Sequence, residues 1–474
     1  MTDTTSAVAE AASGYYPGSM MELIPGGAHT YSKGPDQFPA NTPGSIVRGE
    51  GSRVLGSDGK WYLDWGMGLT SVSLGHGHPE VCDAVSEEIR KGVNFIRPAE
   101  LERAAAEKFL EVFGGDMVKF CKNGSVATTA AVKLARAHTG KKLVVVPKEH
   151  PFFSYDDWFI GTTAADAGIP EENKALTRRF SYNDLASLEE IFAAEGDDIA
   201  CVMLEPVKFD APAPGFLEGI RSLCDRHGAV FVLDETVSGL KWAMRGGQEY
   251  FGVTPDLSVW GKGLANGFSA CALSGRRDIM ALGGSNSTGP RVFLISTTHG
   301  AESSALAAML ATLRIFERDD VIRENWKRGK RLMDGIQGAI DARGLKGKFT
   351  IVGYPCLPLF GWAGLPEARA LEWKTLVMQE LVKEGILTQG ILYPTPAHAG
   401  GAVEETIRAF DSALSRVADA WATGSVKGFL EGPAIRPVFR SFQECSKSRC
   451  GRLYPDSGQE SCCRDNHPTT GQTA

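Results

Sequence analysis

The sequence predicts an α/β protein in which a large, mainly parallel sheet is covered by helices on both faces and joined by a smaller α+β domain. Two observations predict it. Between Val118 and Trp260, short apolar runs alternate with helical stretches at crossover spacing, the pattern of parallel strands. From about Ala305 that alternation gives way to long helices with a few strands, which marks a second, smaller unit. The chain of 474 residues, 43% hydrophobic and 23% charged, has the length and composition for such a globular arrangement. A net charge of -7 gives no basic face for nucleic acid, and no apolar run reaches membrane-spanning length. The start, MTDTTSAVAEAASG, has neither the basic residues nor the apolar stretch of a secretion signal, so a cytoplasmic protein is expected.

The elements follow in order. Residues 1–20 read as a flexible start, and residues 21–75 as an N-terminal part of the small domain. Within the latter, "IVRGEGSRVLGSDGKWYLDW" alternates apolar runs with glycine turns, as a β-meander does. Residues 76–305 form the large domain. It opens with two amphipathic helices between Pro79 and Phe113 and continues through the strands "VKFC", "KLVVVP", "IACVMLEPV", "AVFVLD" and "DLSVW". Residues 306–432 return to the small domain. There "KFTIVGYPCLPLFGW" and "GILTQGILYPTPAH" read as strands of a second sheet, and a helix around "EETIRAFDSALSRVADAWATG" closes the fold. Residues 433–474 are polar, cysteine-rich and aperiodic, and are expected to be disordered.

Ten cysteines divide into two groups. Cys82, Cys121, Cys201, Cys224, Cys271 and Cys356 are scattered singly, as buried thiols in a reducing compartment are. Cys445, Cys450, Cys462 and Cys463 crowd near His467 but contain no CxxC pair, so no metal is expected. His76 and His78 in "GHGHP" read as turn residues that shape a pocket entrance. The acidic-aromatic "YDDWF" reads equally as a substrate mouth or a packed loop.

One lysine stands apart. Lys262 lies in "SVWGKGLANG", among small and apolar residues, after a strand. Upstream, Asn123-Gly124-Ser125 ends one strand and opens a helix, where free N–H groups and a hydroxyl suit a phosphate. Asp234 follows the apolar run "AVFVL", at the strand end that faces the ligand crevice of an α/β sheet. Thr297 and Thr298 precede a later helix and offer hydroxyls to an anion. Phosphate site, strand-end carboxylate and desolvated amine are together the parts needed to hold pyridoxal phosphate.

The motifs "IPGGAHTYSKG", "DGKWYLDWGMGLTSVSLGHGHP", "CKNGSVATTAAVKLARAHTG", "VFVLDETVSGLK" and "DLSVWGKGLANG" carry a resemblance to the class III pyridoxal-phosphate-dependent aminotransferases. The sequence is most similar to the branch that includes glutamate-1-semialdehyde aminomutase, over roughly residues 20–432. The resemblance implies fold type I, with a seven-stranded type of sheet in the large domain. Lys262 matches the lysine that forms a Schiff base with the cofactor, and Asp234 the aspartate on its ring nitrogen. Gly124 and Ser125, after Asn123, match the phosphate-binding pair. Glu205 matches a glutamate near the phenolic oxygen and the substrate, and Thr236 stands where relatives have a valine against the ring. Thr298 matches a threonine that reaches the phosphate of a neighbouring subunit, which implies a homodimer with shared sites.

One departure bears on the cofactor and two on the substrate. The aromatic that stacks on the cofactor is expected at Phe152, with Phe153 as rival, because "EHPFFSYDDW" replaces the usual Tyr-His-Gly. Lys33 stands in place of an arginine that grips a carboxylate, and Gly68-Leu69 in place of a serine-tryptophan pair. A lysine offers a point charge where arginine offers a fork. The expected function is transfer of an amino group from an amino donor to an aldehyde or ketone, with a polar or sugar-like acceptor. The alternatives are an intramolecular aminomutase and a non-catalytic cofactor-bound module.

Overall fold

The computed structural model describes residues 17–207, 210–286 and 291–439. The main helices are α1 (Pro79–Ile89), α2 (Glu100–Phe113), α3 (Gly124–Thr139), α4 (Leu185–Glu195), α5 (Phe216–His227), α6 (Ser303–Arg318), α7 (Val321–Ala342), α8 (Glu367–Lys383) and α9 (Ala402–Thr423). The strands of the N-terminal meander are β1 (Ile46–Glu50), β2 (Arg53–Gly56) and β3 (Trp61–Asp64). Those of the large domain are β4 (Met117–Cys121), β5 (Leu143–Pro147), β6 (Thr177–Phe180), β7 (Ile199–Leu204), β8 (Val230–Asp234), β9 (Leu257–Trp260) and β10 (Cys271–Gly275). The C-terminal part adds β11 (Phe349–Tyr354), β12 (Leu357–Trp362) and β13 (Ile386–Leu387).

The large sheet has seven strands in the order β4-β10-β9-β8-β7-β5-β6. β10 runs antiparallel to both neighbours, and the other pairings are parallel. β5, β7, β8 and β9 are buried along their whole length. Strands covered on both faces need unbroken apolar runs, as "LVVVP" and "IACVML" supply. Strand periodicity then sorts the side chains. Val144, Val146, Met203, Val230, Val232 and Val259 pack with the alanine-rich face of α3. Val145, Val202, Leu204, Phe231 and Leu233 pack with Leu217, Ile220 and Leu223 of α5. Asp234 continues the Val230–Val232 register, so its side chain belongs to the α3 side of the sheet.

The small domain differs from expectation in its strands. β13 joins the meander by pairing parallel to β3, giving a four-stranded sheet β1-β2-β3-β13, while β11 and β12 form a separate hairpin. Only the first residues of "GILTQGILYPTPAH" are therefore sheet. The remainder bends at Gln389–Gly390, makes a single bridge from Ile391 to Leu359 and ends in the 3-10 turn Pro396–His398, with the Tyr393 N–H donating to the Trp65 carbonyl at 3.0 Å. Leu332, Ile336, Phe349, Trp373 and Phe410 share one core with Leu63 and Trp65, which ties the N-terminal meander to the C-terminal helices.

Both termini are corrected. Within the flexible start expected over 1–20, Pro17–Leu23 is helical and the Ile24 N–H donates to the Met20 carbonyl, while residues 1–16 lie outside the described residues. Of the tail expected to be disordered over 433–474, the described residues reach to 439, and these are anchored. Ile435 is buried in the small-domain core, its N–H donates to Thr375 Oγ1, and the Arg436 N–H donates to the Asp36 carbonyl. A single isoleucine anchored by backbone hydrogen bonds leaves no periodic pattern to read. The four clustered cysteines lie outside the described residues. Of the other six, five are buried and Cys82 is exposed, on α1.

Cutting after Gly432 should lower the melting temperature below that of a chain cut after Phe439, through loss of the buried Ile435 and its hydrogen bonds. A melting curve of the two truncations checks this. Equal stability would mean that the 433–439 segment contributes nothing.

Candidate active site

The carboxyl ends of β4, β8 and β9 come together, and small residues let them do so. Asp234 pairs in register with Val259, and the Glu235 N–H donates to the Val259 carbonyl. Thr236 then lies between two glycines. A Cβ at Gly124 would stand 3.5 Å from Thr236 Oγ1, and one at Gly261 would stand 3.1 Å from Thr236 Cγ2 and 2.7 Å from Cys271 Sγ. The last distance is an overlap, so only glycine fits before Lys262. Thr236 thus bridges the start of α3 and the approach to the lysine.

Asp234 is 5% exposed. Burial, followed by the nearby charge of Glu205, pushes its carboxyl up to about 6. Hydrogen bonding from Thr236 and the charge of Lys262 act the other way, and the Thr236 N–H donates to Oδ1 at 2.9 Å. A carboxylate in this state is short of positive charge, and a protonated ring nitrogen placed against it would supply that charge. Its neighbour Glu235 has a different task. It is fully buried and accepts from Ser238 Oγ and from the N–H groups of Gly247 and Gln248, which fixes the turn after β8.

Lys262 opens a single 3-10 turn, Lys262–Ala265, at a φ of 43°. That left-handed conformation is uncommon for a residue with a side chain and is held here by its surroundings. At the other end, Asn123 caps α3 by accepting from the Val126 N–H at 3.0 Å. The N–H groups of Gly124 and Ser125 precede any intrahelical partner and carry the positive end of the helix dipole. Ser125 Oγ accepts from the Tyr155 N–H at 3.2 Å and keeps its own hydrogen for an anion. These groups fit the phosphate of pyridoxal phosphate, and Asp234 and Lys262 fit its ring nitrogen and aldehyde.

The loop from Glu149 to Trp158 closes against α3. Phe153 is 2% exposed, and its carbonyl accepts from Thr128 Oγ1 at 2.9 Å. Phe152 is 46% exposed, edge-on to Phe159 and facing Phe439 at 6.5 Å. Of the two candidate stacking rings, Phe152 alone has a face outside the core. In "YDDWF", Tyr155 is exposed, Asp156 accepts from Thr129 Oγ1 just before a one-turn helix, Asp157–Ile160, and Trp158 is buried with its Nε1 donating to the same hydroxyl. Glu205, 2% exposed at the end of β7, donates its N–H to His150 Nδ1 at 3.1 Å. His150, packed against Tyr182 and Phe153, escaped the sequence reading because an isolated histidine carries no pattern.

The remaining predicted residues sit on loops. Lys33 is exposed in the 3-10 turn Tyr31–Lys33, which Gln389 holds through the Ser32 carbonyl. Leu69 is half-buried in a stretch where Met67, Gly68, Leu69 and Thr70 all have positive φ. Asp64 stabilises that stretch by accepting from the Gly66 and Met67 N–H groups, and His76 Nε2 lies 2.9 Å from the other Asp64 oxygen. His76 thus shapes a turn. Thr298 is exposed, with its carbonyl accepting from Asn94 Nδ2 at 3.1 Å. Among the described residues no cluster of His, Cys, Asp and Glu could hold a metal ion, and no helix is long and apolar enough to cross a membrane.

Comparison with known proteins agrees with this geometry. The family described as "Aminotransferase class-III" matches residues 39–345. A glutamate-1-semialdehyde 2,1-aminomutase of Syntrophobacter fumaroxidans (strain DSM 10017 / MPOB) is 34% identical over 337 residues, 68% of this chain and 76% of that protein. Among solved structures, the FumI protein of Sphingopyxis sp. MTA144, with pyridoxal phosphate, superposes with a TM-score of 0.78 at 26% identity, over 88% of this chain and 97% of that one. A glutamate-1-semialdehyde aminomutase from Pseudomonas aeruginosa PAO1 shares the fold, with a TM-score of 0.71 at 23% identity over 87% and 99% of the two chains. The chain belongs to the class III aminotransferase family, and is a fold type I, pyridoxal-phosphate-dependent enzyme of the aminotransferase and aminomutase type.

Proposed function

We propose that this enzyme is an aminotransferase that moves an amino group from an amino donor to a separate aldehyde or ketone, with a polar or sugar-like acceptor. The observation that carries the chemistry is the buried Asp234 carboxylate within electrostatic range of Lys262. Bound pyridoxal phosphate supplies a carbonyl for amine exchange and a ring that accepts electrons. The chain supplies the rest. The start of α3 holds the phosphate, Asp234 holds the ring nitrogen in its charged form, and Thr236 and Phe152 confine the ring. Glu205 stands near its phenolic oxygen. Lys262 Nζ bears the cofactor and, once released, carries a proton to and from the substrate carbon.

Substrate choice rests on Lys33 and on Gly68-Leu69. A lone exposed ammonium gives weaker hold on a carboxylate than a bidentate guanidinium. The 34% identity to an aminomutase favours a second reading, in which one amino aldehyde is isomerised on the same groups. We further propose a homodimer that shares its sites. Phe95, Ile96 and Phe293 are exposed apolar residues near Thr298 in the chain or through Asn94, and a second copy would cover them. Buried thiols without a disulfide among the described residues fit a cytoplasmic setting.

An amino donor alone should bleach the yellow enzyme and release one oxo product per site, and colour should return only when a separate carbonyl compound is added. Isomerisation of glutamate 1-semialdehyde without released product would establish the aminomutase reading instead.

Asp234→Asn should cut turnover at least about a hundredfold, by analogy with loss of other buried charge-stabilising groups, while cofactor still binds through its phosphate. Without cofactor the same change should stabilise the fold. The native carboxyl at about 6 lies above the ordinary value of 3.8, so this group's contribution to stability is fullest below pH 4 and is lost as pH rises through 6. The melting temperature of the cofactor-free variant should therefore exceed that of wild type at neutral pH and converge with it near pH 4. A constant difference across that range would reject the electrostatic role.

In mixed dimers of a Thr298→Ala chain with a Lys262→Ala chain, one shared site collects both lesions and the other neither, so about half of wild-type activity per dimer should survive. Activity in which each chain's lesions act only on its own site would reject sharing.

A further inference from the structure

A cleft of about 290 Å³ opens where β5 and β6 end, beside the loop that carries Phe152. Phe159 and His150, both buried, line it, and Phe439 closes one side with its ring nearly parallel to that of Phe152. Lys148, directly after β5, and Arg179, on β6, supply its charge. The cleft lies toward the carboxyl ends of parallel strands, where ligands of α/β sheets collect. One side chain separates it from the site already described, because His150 Nδ1 accepts from the Glu205 N–H at 3.1 Å.

Arg179 is clamped. Its Nη1 donates to the Thr162 carbonyl at 3.0 Å and its Nη2 to the Lys148 carbonyl at 2.6 Å. Carbonyl oxygens hold a guanidinium in place without cancelling its charge. Lys148 Nζ reaches only Ser181 Oγ, at a long 3.5 Å. Among the described residues neither cation forms an ion pair, and the acids of the surrounding loops are engaged elsewhere. Glu149 accepts from the Tyr182 N–H, Asp157 accepts from Asn173 Nδ2, and Asp166 pairs with Lys174. Thr162 and Thr163 spend their hydroxyl hydrogens on the carbonyls of Phe159 and Ile160, so the donors left to the cleft are the two cations.

Both side chains are exposed, so either charge by itself is well solvated and worth little. Two that line one cleft, one of them a held planar fork, act together on the paired oxygens of a carboxylate or phosphate. The cofactor's phosphate is provided for elsewhere, at the start of α3, which leaves this cleft to a different anion. We propose that the cleft is a second anion site, which takes a phosphate or carboxylate group between Lys148 and Arg179. The chemistry of capture is the same for two sources, the far end of an amino acceptor or a free anion. The first source rests on the proposed transfer to a separate acceptor, and the second does not.

The test titrates inorganic phosphate into the cofactor-loaded enzyme at low ionic strength and reads binding by calorimetry. With the start of α3 already filled, the titration reports on the cleft. Changing Lys148 and Arg179 together to glutamine should weaken binding about tenfold, whereas Lys119→Gln, which removes an exposed charge on β4, should leave it unchanged. No binding to wild type, equal affinity in the double variant, or an equal loss in Lys119→Gln would overturn the site. If loss of the Arg179 clamp prevents folding, Lys148→Glu, which reverses only the exposed charge, should abolish binding, and unchanged affinity there overturns the site equally. A second arm separates the sources, using straight-chain aldehydes that end in a carboxylate or in a methyl group as acceptors. The ratio of kcat/KM between the two series should fall about tenfold in the double variant if the anion belongs to the acceptor, and stay constant if it is free. Failure of every separate acceptor to react would reject the proposed transfer and leave the phosphate titration to judge the cleft.

Discussion

The buried carboxylate of Asp234 sets the terms for the rest of the molecule. It ends an apolar strand, lies 5% exposed, and accepts from the Thr236 N–H. A charge in that position is costly until a cation meets it. The sheet around it is built to make the meeting possible. β7, β8 and β9 exclude water along their length, and the period-2 register turns Asp234 toward the start of α3. One face of the sheet therefore presents a carboxylate, a helix start and a lysine at the same end.

Close approach is what joins these groups into a site. Gly261 admits Cys271 at a distance that no side chain would allow, with Thr236 tight against the same position. Alanines along α3 let the helix settle on the strands, which fixes how far its first N–H groups stand from the carboxylate. The cost appears as backbone strain. Lys262 is left-handed, and so are Met67, Leu69 and Thr70, each on the order of 1–3 kcal/mol if judged by ordinary preferences. Hydrogen bonds from the Gly66 and Met67 N–H groups to Asp64 hold that segment in place.

The small domain also reaches the site from behind. Tyr393 places its ring under Lys241, and Trp326 fixes the backbone of the same residue. The two amines of Lys241 and Lys262 and the two carboxylates of Asp234 and Glu205 thus form one electrostatic group assembled from both domains.

Much of this was legible in the chain. Unbroken apolar runs such as "LVVVP" identify doubly covered strands, and the carboxyl end of such a strand singles out Asp234. "CKNGS" reads as a helix start, and a lysine among small residues after "SVW" marks Lys262. These are local signals, carried by periodicity and by the few residue types that turns and caps accept. Lys241, His150 and the anchoring of Ile435 were not legible, because each depends on contacts with residues distant in sequence: Tyr393, Glu205 and Thr375. The union of β13 with the N-terminal meander was hidden for the same reason. What the sequence by itself determined was the order of elements, the resemblance to the family and the positions of a lysine after a strand, an aspartate at a strand end and a helix start. Only the tertiary structure decided which phenylalanine is exposed and which is buried, and that the amine of Lys241 is buried against the Lys262 turn, because burial and Coulomb interaction depend on distances that chain order does not encode.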